Sequence, residues 1–334
     1  MNERWYCKLL LTAAMATLGC TVAAAEYFTD FEPPLYTGSP EGTVLTGQQG
    51  FYLPDASTPS TDWFVYTYAG NVLGLPPNPG DGGEQFAGGT GLGDGSYARA
   101  QWTQDGTFGD GTGLWTTSFD IAATFVGELP TNDNLGSFST MPCDDPYNPD
   151  HATFIALARW TDPNTGTNWN ADYLYYNAAG GYVIASVPDP GFQGLPINHW
   201  YRWSTTFDFD SNAITQLAIT DLATGQTVTY EPQDWYLAGG GGGGLPAPIG
   251  FRLFAGTSSP YGNTLAFDNL AIYQCVGDVD GDNDTDHSDL GELLAAWCTQ
   301  EGDPNWNPDA DLDGDGHVGH GDLGILLADW GCPG

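Results

Sequence analysis

Residues 200–230 read Trp200-Tyr-Arg-Trp-Ser-Thr-Thr-Phe-Asp-Phe-Asp210-Ser-Asn-Ala-Ile-Thr-Gln-Leu-Ala-Ile-Thr220-Asp-Leu-Ala-Thr-Gly-Gln-Thr-Val-Thr-Tyr230. Aromatic and β-branched residues alternate with polar ones at period two, the spacing at which successive side chains leave opposite faces of a strand. Asp208-Phe209-Asp210-Ser211-Asn212 divides the first two runs, and Ala223-Thr224-Gly225-Gln226 divides the second from the third. Asp, Asn and Gly bend the chain there, because short polar side chains bond neighbouring amides and Gly accepts a left-handed backbone. The stretch predicts a three-stranded meander. Outward from it the same texture marks strands at Trp63–Tyr68, Tyr97–Trp102, Leu114–Val126, Thr153–Trp160, Tyr173–Tyr176, Tyr182–Val187 and Phe251–Ala255, each bounded by Gly, Pro, Asn or Asp. Nothing before residue 275 has helical spacing, so the class is mainly β, an antiparallel sandwich of two packed sheets. Six glycines, Gly239 to Gly244, predict a mobile loop within it.

His199-Trp200-Tyr201-Arg202-Trp203 opening a hairpin, and the closing Phe267-Asp268-Asn269-Leu270-Ala271-Ile272, give residues 26–274 a resemblance to the concanavalin A-like jelly rolls of lectins, laminin G modules and some glycanases. That resemblance implies a fold rather than an activity. The first 25 residues read as an export signal: Arg4 and Lys8 precede an apolar run, and Ala23 to Ala25 offer a cleavage point. Leu18-Gly19-Cys20 is a poorer match to a lipoprotein signal. Export implies a secreted or cell-surface protein, and no segment is apolar for long enough to span a membrane. Removing the signal leaves four arginines, no lysine and 41 acids, a net charge of −37. Such a field repels nucleic acid and attracts divalent cations.

Composition changes at residue 275. Two twelve-residue segments, Asp278 to Asp289 and Asp311 to Asp322, repeat with an offset of 33. After each, apolar residues recur at i, i+3, i+4 and i+7: Leu290, Leu293, Leu294 and Trp297, then Leu323, Leu326, Leu327 and Trp330. This is one face of a helix. Calcium takes six to eight hard oxygens, and a twelve-residue loop supplies them from positions 1, 3, 5, 7, 9 and 12. The first loop offers Asp278, Asp280, Asp282, the Asp284 carbonyl, Asp286 through water, and Asp289; the second offers Asp311, Asp313, Asp315, the His317 carbonyl and Asp322. Position 6 must turn sharply, which suits Gly316 and, less well, Asn283. Two calcium ions are therefore expected.

A loop-then-helix half, duplicated and without a helix ahead of either loop, resembles the bacterial dockerin, and the resemblance covers about residues 276–331. It implies docking onto a cohesin-like or other cell-surface protein, with loop positions 10 and 11 choosing the partner: His287 and Ser288, then His320 and Gly321. The Ser-Thr pair frequent in dockerins is missing. Cys143, Cys275, Cys298 and Cys332 allow three pairings, and Cys275 with Cys332 would clasp the ends of residues 275–334. No glycanase Glu-x-Asp-x-x-Glu, Gly-x-Ser-x-Gly elbow, His-Glu-x-x-His helix or phosphate loop occurs. Trp102, Trp115, Trp169 and Trp235 read as packing residues ahead of sugar platforms. The expectation is a non-catalytic, glycan-binding sandwich presented by a calcium-dependent tail. A polysaccharide-degrading enzyme and a structural or adhesive surface protein are the alternatives.

Overall fold

The computed structural model describes residues 27–332, apart from 55–59, 81, 92–95, 110, 128–132, 142–149, 259–260 and 282–283. The expected export signal, Cys143, Asp282 and Asn283 lie outside the described residues. The chain divides into two compact units, Tyr27–Ile272 and a second containing Tyr273–Gly334.

The first unit is a sandwich of two sheets. In the larger, the strands run in the order Gln226–Tyr230, Ala213–Asp221, Trp200–Asp208, Leu114–Val126, Tyr261–Tyr273, Gln85–Thr90, Phe64–Thr67 and Thr43–Val44. In the smaller the order is Tyr182–Ser186, Asn168–Tyr176, Ile155–Trp160, Asn134–Met141, Gly250–Ala255, Tyr97–Thr103 and Ser60–Thr61. Pairing is antiparallel except where Ser60–Thr61 meets Tyr97–Thr103. The chain changes sheets in blocks: the four strands from Asn134–Met141 to Tyr182–Ser186 lie together in the smaller sheet, and the three of the meander lie together in the larger. Inward positions such as Phe119, Phe138, Trp203, Phe251 and Phe267 fill one aromatic core.

Both meander turns fall where the composition places them. Asp208 accepts from the Asp210 and Ser211 amides at 2.9 and 3.2 Å, and Asp221 accepts from those of Ala223 and Thr224 at 2.9 and 3.1 Å. The glycine run departs from expectation. Gly240 is buried at φ +71°, and a Cβ there would lie 2.5 Å from the Gly180 nitrogen and 2.7 Å from the Asn177 carbonyl oxygen. Buried Asn212 donates to the carbonyls of Leu237, Ala238 and Gly240 at 3.2, 3.0 and 2.7 Å. Part of the run is therefore a packed crossing of two backbones, which glycine permits because it has no side chain.

Strands not legible in the sequence include Tyr27–Thr29, Gln85–Thr90, Asn134–Met141, Thr43–Val44, Ser60–Thr61 and the first half of Tyr261–Tyr273. Gly88 and Gly89 hide the second of these, and they are required: a Cβ on Gly89 would enter the ring of fully buried Trp63.

On the outer face of the larger sheet a polar network is buried. Asp120, fully enclosed, accepts from Arg202 Nε (2.8 Å) and Nη2 (3.1 Å), and from the amides of Asn78 and Asn269 (both 2.8 Å). Asp268, equally enclosed, accepts from the Tyr68 hydroxyl at 2.7 Å. These charges are compensated by donors, as buried carboxylates must be. The network is saturated and reads as a fastening for the segment containing Asn78.

Candidate metal centre

The second unit carries the duplicated loops. Helices run over His287–Ala295 and His320–Ala328, and a 3-10 turn, Pro308–Ala310, precedes the second loop. Leu293 and Leu326 are fully buried with Val279, Ala296, Ala310 and Val318. Leu290, Trp297, Leu323, Leu327 and Trp330 pack around them. Seven of the eight residues read from the spacing thus form this small core, and Leu294 does not join it.

Each loop closes on its position-12 aspartate. Asp289 Oδ1 accepts from the amides of Val279 (2.6 Å) and Asp280 (3.1 Å), and its Oδ2 accepts from Asp286 N–H at 2.7 Å. One repeat later, Asp322 Oδ1 accepts from Asp313 N–H at 3.1 Å and Oδ2 from Gly319 N–H at 2.6 Å. Both carboxylates are enclosed. The shorter acid at position 12 has a local reason. Asp289 is the third residue of its helix and reaches back to the amide of the capping residue Asp286, while Asp286 Oδ1 accepts from Ser288 N–H at 2.6 Å. Gly319 occupies the same capping position in the second repeat and supplies no side chain.

Most of the expected ligands converge in three sets, none of which includes Asp322. Carboxylate oxygens of Asp278, Asp280 and Asp289 lie within 4.8 Å of one another, as do those of Asp284, Asp286 and Asp289, and those of Asp311, Asp313 and Asp315. The Asp284 side chain, expected to give only its carbonyl, thus joins the first loop. The His317 ring is exposed. Gly316 has φ +82°, as a sharp sixth position requires, and donates to Asp311 Oδ2 at 2.9 Å. The other oxygen of Asp311 is buried without a hydrogen-bond partner among the described residues. An enclosed anionic oxygen with no donor, beside two further carboxylates, is chemistry that a hard cation satisfies. The residues of the second loop therefore fit a hard divalent cation.

The repeats interlock around an approximate twofold relation. His287 packs edge-on against Trp330 (ring centroids 5.0 Å apart), and His320 packs likewise against Trp297 (5.3 Å). The Thr285 carbonyl accepts from Gly331 N–H at 2.9 Å, and the Val318 carbonyl from Cys298 N–H at 2.9 Å. His287, Ser288, His320 and Gly321 are all exposed. Gly321 has a structural reason as well, since a Cβ there would meet the Asp313 carboxylate. Cys275 and Cys332 form a disulfide, and Cys298 is disulfide-bonded too. Asp329 is buried; desolvation raises its carboxyl above the usual range, opposed by hydrogen bonds from the Gly277 amide and the Thr285 hydroxyl.

On the sandwich, Trp115, Trp169 and Trp235 are buried, and Trp102 packs on the core. Among the described residues of the sandwich the exposed rings are Phe28, Tyr52 and Tyr182, which the sequence texture did not distinguish from core aromatics. Among the described residues no helix is long and apolar enough to cross a membrane.

No protein-family model and no curated protein sequence matches the chain. Solved structures with a similar β-sandwich include a basic winged bean lectin with Tn-antigen, 14% identical over 74% of this chain and 97% of that one, TM-score 0.38. The cellulose induced protein Cip1 is 12% identical over 74% and 96%, TM-score 0.36. A carbohydrate esterase from Shiga toxin-encoding bacteriophage phi24B is 14% identical over 63% and 88%, TM-score 0.34. Likeness at this level carries no functional argument.

Proposed function

We propose that residues 275–334 bind two calcium ions and, so ordered, dock the exported chain onto a protein partner at or outside the cell surface, presenting a non-catalytic, glycan-binding β-sandwich. One observation carries the reading: two loops, 33 residues apart, each gather aspartate carboxylates ahead of a helix of the same apolar pattern. Without a cation those carboxylates repel, by about 4 kcal/mol per pair at 4 Å and an effective dielectric of 20. With one, the same oxygens complete a hard-ligand shell. The exposed residues at positions 10 and 11 flank the helix starts and are disposed alike in the two repeats, which suits a partner surface. For the sandwich, exposed Tyr52 and Tyr182 supply faces on which a sugar ring stacks.

The test uses the full exported chain as bait for a cell-envelope extract, with calcium or with chelator. Capture of a protein in calcium alone supports docking; the same proteins in both conditions reject it. A calorimetric titration showing no heat of uptake at millimolar calcium removes the metal and the docking together. Affinity electrophoresis through a panel of polysaccharides tests the sandwich separately, and unretarded migration on every one would reject glycan binding.

A further inference from the structure

The twofold relation between the repeats fails at one buried place. Asp329, Gly277 and Thr285 correspond, across the offset of 33, to Ala296, Ala310 and Val318. All six are buried. In the second-loop half the three are apolar and belong to the small core. In the first-loop half they are joined by one carboxylate: Asp329 Oδ2 accepts from Gly277 N–H at 2.7 Å and from the Thr285 hydroxyl at 2.8 Å. Gly277 immediately precedes Asp278, and Thr285 stands between Asp284 and Asp286. A single oxygen on the second helix's end therefore ties the start of the first loop to its eighth residue. The fit is close: a Cβ on Gly277 would come within 2.7 Å of Thr285 Cγ2 and 3.2 Å of Asp329 Cβ. The backbone exchange, by contrast, occurs in both halves, through Thr285 N–H to Cys332 O (3.2 Å) and Val318 N–H to Thr299 O (3.0 Å).

Burying a carboxylate where the sister position packs an alanine carries a desolvation cost, offset here by two charge-assisted hydrogen bonds. Those bonds fix the spacing between Asp278 on one side of the first loop and Asp284 and Asp286 on the other. We propose that Asp329 is a positioning residue for the first calcium loop alone, so that the two sites are inequivalent and the first is assembled only once the second helix is folded. This rests on the calcium reading above. Removing the carboxylate leaves the Gly277 amide and Thr285 hydroxyl buried without their acceptor, and the first loop's ligands lose their preset spacing. The second loop has no counterpart contact to lose.

The experiment is calorimetric calcium titration of the full chain in two backgrounds. Asp311→Ala with Asp313→Ala silences the second loop and reports on the first; Asp278→Ala with Asp280→Ala does the converse. Asp329→Ala should weaken calcium about tenfold in the first background and by less than twofold in the second. Asp329→Asn, which keeps an acceptor oxygen, should recover most of the loss. Equal weakening of both loops would mean a merely structural role and overturns the proposal, as does unchanged affinity at the first. If Asp329→Ala does not fold, Asp329→Asn decides alone: selective, partial weakening of the first loop supports the proposal, and an unselective effect overturns it. Absence of calcium uptake by the parent chain would show instead that the underlying calcium reading has failed, and the proposal with it.

Discussion

Asp120 shows how much one side chain can hold. Its two oxygens take four donors from three segments far apart in sequence, and no water reaches it. Asp120→Ala would take an acceptor from Arg202, Asn78 and Asn269 together; because Arg202 is partly exposed to solvent, the cost should fall below the full buried-pair value, at about 2–3 kcal/mol. Urea unfolding of the sandwich should register that loss, whereas a change below about 1 kcal/mol would mean that the network is dispensable. His151 argues in the opposite electrostatic sense. Burial lowers its pKa below 6.5, against the pull of Asp150, and its Nδ1 is enclosed without a hydrogen-bond partner among the described residues. The folded state thus binds fewer protons than the unfolded one just below that value. Its contribution is fully present above pH 6.5 and declines as pH falls through the lowered folded value. In urea midpoints taken from pH 7.5 to 5, His151→Gln should flatten this decline; an identical slope in both proteins would rule the histidine out as its source.

At the scale of elements, legibility followed side-chain pattern and failed where glycine carried the structure. The meander of residues 200–230 and both helices of the duplicated acidic loops were readable because period-two alternation and i, i+3, i+4 spacing record directly which face is buried. Gln85–Thr90 was not, because its small residues make room for Trp63 and Tyr66 from a neighbouring strand, and that need is invisible in local texture. For the same reason the packed half of the glycine run looked like a free loop. In the metal centre, spacing identified the aspartates but not the buried tie from Asp329, which lies 44 residues from Thr285 and stands where the other repeat has Ala296. The first helix offers a test that separates two roles of one residue. Asp286 caps the helix through Ser288 N–H and also faces Asp284 and Asp289. Asp286→Asn keeps a capping oxygen, so calcium-free circular dichroism at 222 nm should change little while calcium affinity falls. Asp286→Ala should reduce both, at about 1 kcal/mol for the lost cap. Equal helicity in the two variants would show that the cap contributes nothing.

Taken whole, the second unit has an imbalance that its fold must manage. Residues 273–334 contain fifteen Asp and Glu and no Lys or Arg, so compaction gathers like charge that no side chain of the unit fully neutralises. Two devices act on the same equilibrium from opposite ends. The Cys275–Cys332 disulfide spans a separation of 57 residues and restricts the unfolded chain, a loop length for which the chain-entropy relation gives about 4 kcal/mol. On the calcium reading proposed above, binding stabilises the folded form by RT ln(1 + [L]/Kd), which reaches about 4 kcal/mol at a thousandfold excess over Kd. The two are therefore interchangeable over this range. Cys275→Ser with Cys332→Ser should raise the free calcium at which residues 276–332 become protected from hydrogen exchange by about a thousandfold if one ion is linked to folding, and by about thirtyfold if two ions bind together. The size of the shift thus counts the ions coupled to the fold, and protection of the sandwich residues should stay constant throughout. A calcium midpoint unmoved by loss of the disulfide would show that the unit is folded before metal arrives, and the linkage between charge, crosslink and cation would have to be abandoned.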